Sequence, residues 1–340
     1  MIIAIHESAG SYSDRWIEYC RENSIQYKIV NCYRGDIIEQ LRDCDALMWH
    51  WNQYDHKAVL FARQLIYSVE EMGLKVFPNS NTCWHFDDKV GQKYLLEAVN
   101  APLVQSYIFY DKQEAMNWIS NADFPKVFKL RGGSASANVS LVKNRKEARA
   151  ICRQAFGKGF KPVSGYFSDF RTKTRRVKKV SDLIEKLKRL PDSLYRIYTA
   201  NMFMNREKGY LYFQDFIPDN EYDTRIVVIG DKALGLVRHT RKNDFRASGS
   251  GAIEYEKESI DERFVTSAFR LSEKLQTQSL ACDFVFNEGE VQLLEISYAY
   301  AARAYDKCVG FWDREMNWHQ GHFKVEDLIM EMFIESLQKS

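Results

Sequence analysis

Asp283-Phe-Val-Phe-Asn-Glu-Gly-Glu-Val-Gln-Leu-Leu-Glu295-Ile-Ser297 consists of two apolar runs joined by the polar segment 287–290, where Gly289 can take a positive φ. That pattern predicts a β-hairpin. With the turn centred near Gly289, Asp283 falls opposite Glu295 and the two carboxylates project from one face. Apolar neighbours on both sides of each acid indicate buried strands. Two carboxylates held this close repel each other unless a proton or a cation sits between them. A hard divalent ion with oxygen ligands meets that need, and Mg²⁺ is typical where phosphates complete the shell. The other reading is a hairpin with two solvated acids. The rest of the chain has to decide between them.

The chain has 340 residues, 45% hydrophobic and 14% aromatic, enough for two or three subdomains with substantial cores. A net charge of +2 gives no general case for nucleic-acid or membrane binding. Seven scattered cysteines, with no C-x-x-C pair, fit a reduced cytosolic setting. The opening Met1-Ile-Ile-Ala-Ile-His-Glu has no basic segment and too short an apolar run for a signal peptide. No stretch approaches the roughly 18 apolar residues of a membrane span. A cytoplasmic protein is expected.

Residues 2–6, 27–30, 46–49 and 75–77 read as short strands, separated by helical patterns through Trp16, Ile37 and residues 56–72. Strands alternating with helices predict a small parallel α/β domain over 1–80. His6, His50 and Trp51 fall at its strand ends, where open α/β sheets bind ligands. No G-x-G-x-x-G follows the first strand, so a dinucleotide site is not indicated.

Asp87-Asp88-Lys89 then precedes a helix, and residues 103–110 and 124–130 read as strands, the second carrying Lys129 near its end. Arg131-Gly-Gly-Ser-Ala-Ser-Ala-Asn138 follows directly. A lysine ending a strand before a glycine- and serine-rich loop suits phosphate: backbone N–H groups cradle oxygens and the ammonium supplies charge. The loop is not a Walker A motif. Residues 158–179 hold eight lysines and arginines against the single acid Asp169, with aromatics interleaved. This stretch reads as a solvated face, as a surface for an anionic substrate or partner, or as a nucleic-acid surface. Residues 210–217 form an apolar strand, 226–237 a hairpin, 259–278 a helix and 324–338 a final amphipathic helix. Between them, Arg238, Arg241 and Arg246 beside a small-residue loop indicate an anion site.

The order of these parts resembles the ATP-grasp superfamily, which includes D-alanine–D-alanine ligase, glutathione synthetase and the ligases that add glutamate to ribosomal protein. The resemblance spans roughly residues 76–335, with residues 1–75 similar to the α/β domain that precedes the grasp. It implies an α/β plus α+β fold: a pre-ATP-grasp domain at 1–80, an N-terminal grasp subdomain at 81–212 with a basic insertion at about 157–209, and a C-terminal subdomain at 213–340. It further implies ATP and Mg²⁺, with Mn²⁺ as a substitute. Lys89 and Lys129 would hold phosphates, with Gly132, Gly133 and Ser134 as the loop over them. Gln214, Asp215, Phe216 and Ile217 would be the adenine hinge, and Asp223, or in the alternative Glu221, the ribose acid. Arg225 would face the substrate, and Arg238 and Arg246 the γ-phosphate and acyl phosphate. Asp283, Glu295 and Ser297 would bind the metal.

The implied activity joins a small-molecule, glycan or peptide carboxylate to an amine through an acyl phosphate, with release of ADP and phosphate. Membrane and nucleic acid are not implied, and a homodimer stays open. A phosphotransferase on the same scaffold is one alternative; Ser297 and Ser248, standing where glutamate-ligase relatives carry asparagine, suggest a second, a nucleotide-binding protein without turnover. His319-x-x-His322 lacks a third ligand in view and reads as a surface or interface feature.

Overall fold

The strand and helix alternation at the start of the chain builds a parallel layer. In the computed structural model, which describes residues 1–132, 138–161, 205–241, 247 and 251–339, Ile3–His6 (β1), Tyr27–Val30 (β2), Ala46–Met48 (β3) and Lys75–Phe77 (β4) pair in the order β2-β1-β3-β4. Tyr12–Glu22 (α1), Ile37–Gln40 (α2) and His56–Glu71 (α3) connect them. Helix α1 buries Tyr12, Trp16, Ile17 and Cys20, one stripe of a 3.6-residue period. Because the strands are parallel, their C-terminal ends share one edge, which carries His6 and, just past β3, His50.

Two short polar signals set the next helices. Asn79 caps Ser80–Cys83 (α4), and Asp88 caps Lys89–Ala98 (α5) by accepting the Gly91 N–H at 2.9 Å. The second sheet holds Ser106–Phe109 (β5), Lys126–Lys129 (β6), Val139–Val142 (β7) and Leu211–Asp215 (β8), antiparallel in the order β5-β8-β6-β7. Lys112–Asn121 (α6) and Arg145–Ala155 (α7) close its apolar core. The chain departs toward the basic segment and returns from it side by side: Phe160 pairs with Glu207, and Arg206 donates to the carbonyls of Lys158 and Gly159. Most of that basic segment lies outside the described residues.

The third sheet is antiparallel: Tyr222–Ile229 (β9), Lys232–His239 (β10), Ile253–Glu254 (β11), Ser279–Asn287 (β12), Glu290–Ser297 (β13), Gly310–Trp312 (β14) and Trp318–Gln320 (β15). Its order is β13-β12-β9-β10-β14-β15, with β11 on β10. Glu262–Leu275 (α8) packs on one face through Phe264, Ala268 and Leu271. The other face joins Val227, Ile229, Leu234 and Leu236 to Trp16 and Phe77 of the first layer and to Ile329 and Phe333 of Val325–Gln338 (α9). The parallel layer and the third sheet therefore share a core. Helix α8 is shorter than the helix read over 259–278. Asp261 caps its start, and Gln276 turns left-handed at its end so that β12 can begin at Ser279. No helix among the described residues is long and apolar enough to cross a membrane.

Helix α5 precedes the second sheet in the chain but is anchored to the third. Its Leu96 joins the core under α8, and Gln92 covers the open edge of β13. The Gln92 amide donates to the Ile296 carbonyl at 2.8 Å and accepts the Ile296 N–H at 3.2 Å. A side chain thus stands in for a neighbouring strand, satisfying backbone groups that an edge leaves bare. This fixes the start of α5, and Lys89 with it, beside the hairpin.

Candidate active site

The hairpin β12–β13 pairs Asp283 with Glu295, the register set by a two-residue turn in which Glu288 and Gly289 have φ of 52° and 85°. Two successive positive φ values match the right-handed twist of the strands. A bulge between Asp283 and Phe284 shifts the pairing beyond this point, so that Phe284 opposes Leu293. Bulges re-aim side chains where sites are built.

Across the sheet, Glu295, Asp283 and Arg225 lie in one row, and Asp223 opposes Arg238 in the next. Arg225 donates from Nε and Nη2 to the two oxygens of Asp283 at 2.5 and 2.6 Å. Arg238 grips Asp223 in the same forked way at 2.6 and 2.8 Å, and its Nη2 also reaches Asp283 at 2.8 Å. Such bidentate pairs are the strong, geometrically specific kind. Burial alone would raise the Asp283 pKa, but the guanidiniums of Arg225 and Arg238 outweigh it and hold the group well below the usual carboxylate range. The four charges cancel, which makes their burial tolerable.

The second sheet and α5 bring lysines to the same place. Lys89, the first residue of α5, is buried with its Nζ 3.8 Å from Glu295 Oε2. Lys129 ends β6 and donates to Gln214 Oε1 on the neighbouring β8 at 2.6 Å. Burial pushes the Lys129 ammonium down to about 8; Lys89 adds to this, while Glu295 and Asp283 oppose it. Two lysines and two acids from four separate elements therefore act on one another.

Around this centre, Arg131 donates to Asp88 at 2.8 and 3.0 Å, which ties the base of the glycine loop to the cap of α5. Gly132 passes so close to Asp87 that a Cβ would sit 3.1 Å from its carboxylate oxygen. Gly133, Ser134, Arg246 and Ser248 lie outside the described residues. In the hinge, Gln214 is turned inward on Lys129 and Ser106, Asp215 pairs with Lys126 at 2.7 Å, and the chain leaves the sheet into Phe216 and Ile217. Asp223, read as the ribose acid, has both oxygens on Arg238 and is buried, whereas Glu221 is exposed. Ser297 donates its hydroxyl to the Ala299 carbonyl at 3.0 Å. His319 pairs with Asp313 at 2.7 Å, and no group of three or more His, Cys, Asp or Glu suited to a metal forms among the described residues.

A hard cation sharing its shell with phosphates needs few protein oxygens. Asp283 has about four lone-pair positions; three are taken by Arg225 and Arg238, so one remains open. Glu295 is partly exposed, its side chain 36% accessible, and Ser297 retains acceptor capacity. The donor set is all oxygen and fits Mg²⁺. Sequence reasoning did not find Gln92 or the Arg225–Asp283 pair. The alternation Asp223-x-Arg225 would have put both on one face, but their partners depend on which strands become neighbours.

No family model matches the chain. Among characterised proteins, the α-aminoadipate–LysW ligase LysX of Saccharolobus solfataricus is 22% identical over 235 residues, spanning 67% of this chain and 68% of that protein. The RimK-domain ATP-grasp protein of Sphaerobacter thermophilus superposes with a TM-score of 0.55 at 15% identity, covering 98% of this chain and 100% of that one. D-alanine–D-alanine ligase from Bacillus anthracis gives a TM-score of 0.55 at 14% identity, covering 99% and 98%. The chain has the ATP-grasp fold over nearly its whole length, and its likeness is to the carboxylate–amine ligases of that superfamily.

Proposed function

We propose that this protein is an ATP-dependent carboxylate–amine ligase that works through an acyl phosphate. The observation that carries the reading is the meeting of Lys89 and Lys129 with Asp283 and Glu295 where α5 and the second and third sheets converge. Lys89 and Lys129 bind the triphosphate, the hinge 214–217 holds adenine, and Gly132, Gly133 and Ser134 are assigned to the triphosphate by the resemblance alone. Glu221, which is exposed, takes the ribose hydroxyls in preference to Asp223, which is buried and gripped by Arg238. Asp283, Glu295 and Ser297 are the residues that would hold Mg²⁺, which would supply positive charge to offset that of the phosphates.

Arg225 and Arg238 keep Asp283 ionised and fixed, and each retains Nη1 outside those bonds for phosphate or acyl oxygens. Arg246 is assigned to the same oxygens by the resemblance alone. A carboxylate oxygen of the acid attacks the γ-phosphorus, and the bond to the β–γ bridging oxygen breaks, releasing ADP. The amine then attacks the acyl carbon, phosphate leaves with the C–O electron pair, and the amine proton passes to solvent. Positioning and charge supply the catalysis, so no side-chain nucleophile is needed. This agrees with the burial of all seven cysteines.

The test is ADP release across a panel of carboxylates crossed with amines, with mass-spectrometric detection of amide. Amide and ADP in equal amounts support the ligase. ADP with a phosphorylated product and no amide supports phosphotransfer on the same scaffold. Nucleotide binding without ADP release across the panel refutes turnover.

A further inference from the structure

Tyr305 follows a single 3₁₀ turn, Ala302–Ala304, in the segment after the hairpin. It is 1% exposed, and its ring meets Tyr300 edge-on with centroids 5.4 Å apart. The Tyr300 hydroxyl pairs with Ser279 at 2.8 Å, whereas the Tyr305 hydroxyl has no partner. Tyr305 packs in the cluster that contains Val227 and Ile229. Val227 and Ile229 follow Arg225 at two-residue steps along β9 and share its face, so the phenol stands over the sheet face that bears Arg225 and Asp283. Arg225 and Arg238 both act on it electrostatically. Among the described residues the other buried polar side-chain atoms without partners are Trp16 Nε1, His50 Nε2, the His85 ring nitrogens and Thr224 Oγ1, the last on the face of β9 opposite to Arg225. An unpaired hydroxyl in such a place is a standing cost that phenylalanine would avoid while filling the same space.

We propose that Tyr305 is a catalytic residue whose hydroxyl donates a hydrogen bond to the acyl oxygen of the carboxylate substrate, an inference that rests on the ligase reading above. The charges of Asp223, Arg225, Arg238 and Asp283 already cancel, so a neutral donor adds attraction for the substrate oxygen without another buried charge. When the amine attacks the acyl carbon, the C–N bond forms and the carbonyl π electrons move to that oxygen. The phenol O–H bonds to the oxyanion without transferring its proton. Collapse restores the C=O bond and expels phosphate with the C–O electron pair, and the proton on nitrogen goes to solvent. The bond is strongest at the adduct, so it acts on rate more than on ground-state binding.

The experiment compares wild type, Tyr305→Phe and Tyr300→Phe, using the carboxylate–amine pair most active in the crossed panel and calorimetric titration with ADP. Tyr305→Phe should lower kcat for amide formation about 100- to 1,000-fold, with ADP affinity unchanged and Tm equal or higher. Tyr300→Phe loses a hydrogen bond already made in the fold, so Tm should fall while kcat stays within about twofold. Equal kcat in Tyr305→Phe and wild type overturns the role of Tyr305 while the ligase reading stands. A lower Tm for Tyr305→Phe with unchanged kcat assigns the hydroxyl a structural bond and also overturns it. Failure of the wild type to release ADP with any pair overturns both readings.

Discussion

Replacing Lys129 by methionine should leave the protein as stable as the wild type near pH 7, or more so, while removing nucleotide turnover. The ammonium is buried and its pKa falls from 10.5 to about 8. That gap is equivalent to about 3 kcal/mol of disfavoured charge. Lys→Met keeps the apolar stem and deletes the charge, but it leaves Gln214 Oε1 without its 2.6 Å donor. An unpaired buried acceptor costs about 1–3 kcal/mol, so the net effect at neutral pH lies between about zero and 2 kcal/mol in favour of the variant. The pH dependence is more diagnostic. Below about 8 the lysine is charged in both folded and unfolded states, and the full penalty is present. Between about 8 and 10.5 the unfolded chain binds the proton and the folded chain does not, so wild-type stability rises with pH. Relative to Lys129→Met, the wild type should gain about 3 kcal/mol over this window, or about 4 °C in Tm for a chain of 340 residues. Thermal melts of both proteins at pH 7, 8, 9 and 10 read this difference. A difference that stays flat over that range, or a variant more than about 2 kcal/mol less stable at pH 7, would refute the buried-charge argument.

Nucleotide affinity should weaken as pH rises above about 8, by up to about tenfold per unit, because the free protein must then take up a proton on Lys129 to meet the phosphates; titration calorimetry in buffers of different ionisation enthalpy measures that uptake. Asp223→Ala should cost about 3–5 kcal/mol of stability by removing the forked partner of the buried Arg238 and leaving two cations, Arg225 and Arg238, on the single carboxylate of Asp283. Glu221→Ala, at an exposed position, should instead leave Tm unchanged and weaken ADP binding about tenfold; the reverse pattern would return the ribose to Asp223. Glu295→Gln should raise the Mg²⁺ concentration needed for half-maximal ADP release and lower the plateau severely, and an unchanged metal requirement would remove the hairpin from the metal site.

Much of this architecture was legible because its signals are local. The parallel layer follows from four apolar runs spaced by helical stripes, and Asp283 meets Glu295 because a short turn with a glycine leaves little freedom in register. Lys129 at a strand end and Lys89 at a helix start were equally visible, since caps and loops mark both positions. What escaped depends on strands distant in sequence becoming neighbours. Strand β8 enters between β5 and β6 after the basic segment, which turns Gln214 onto Lys129. Strand β9 runs between β10 and β12, and only that adjacency joins Asp223, Arg238, Asp283 and Arg225 into one set. The hairpin of β14 and β15 was missed because aromatic residues crowd a stretch without clear alternation. Its close approach depends on Gly310, where a Cβ would lie 2.3 Å from the Trp318 ring.

The central claim is that the acid is activated as an acyl phosphate, and the fate of oxygen tests it most directly. A carboxylate labelled with ¹⁸O on both oxygens, turned over with ATP and the amine, should deliver one labelled oxygen to the phosphate released for every amide formed. Phosphate free of label in the presence of amide would contradict the mechanism.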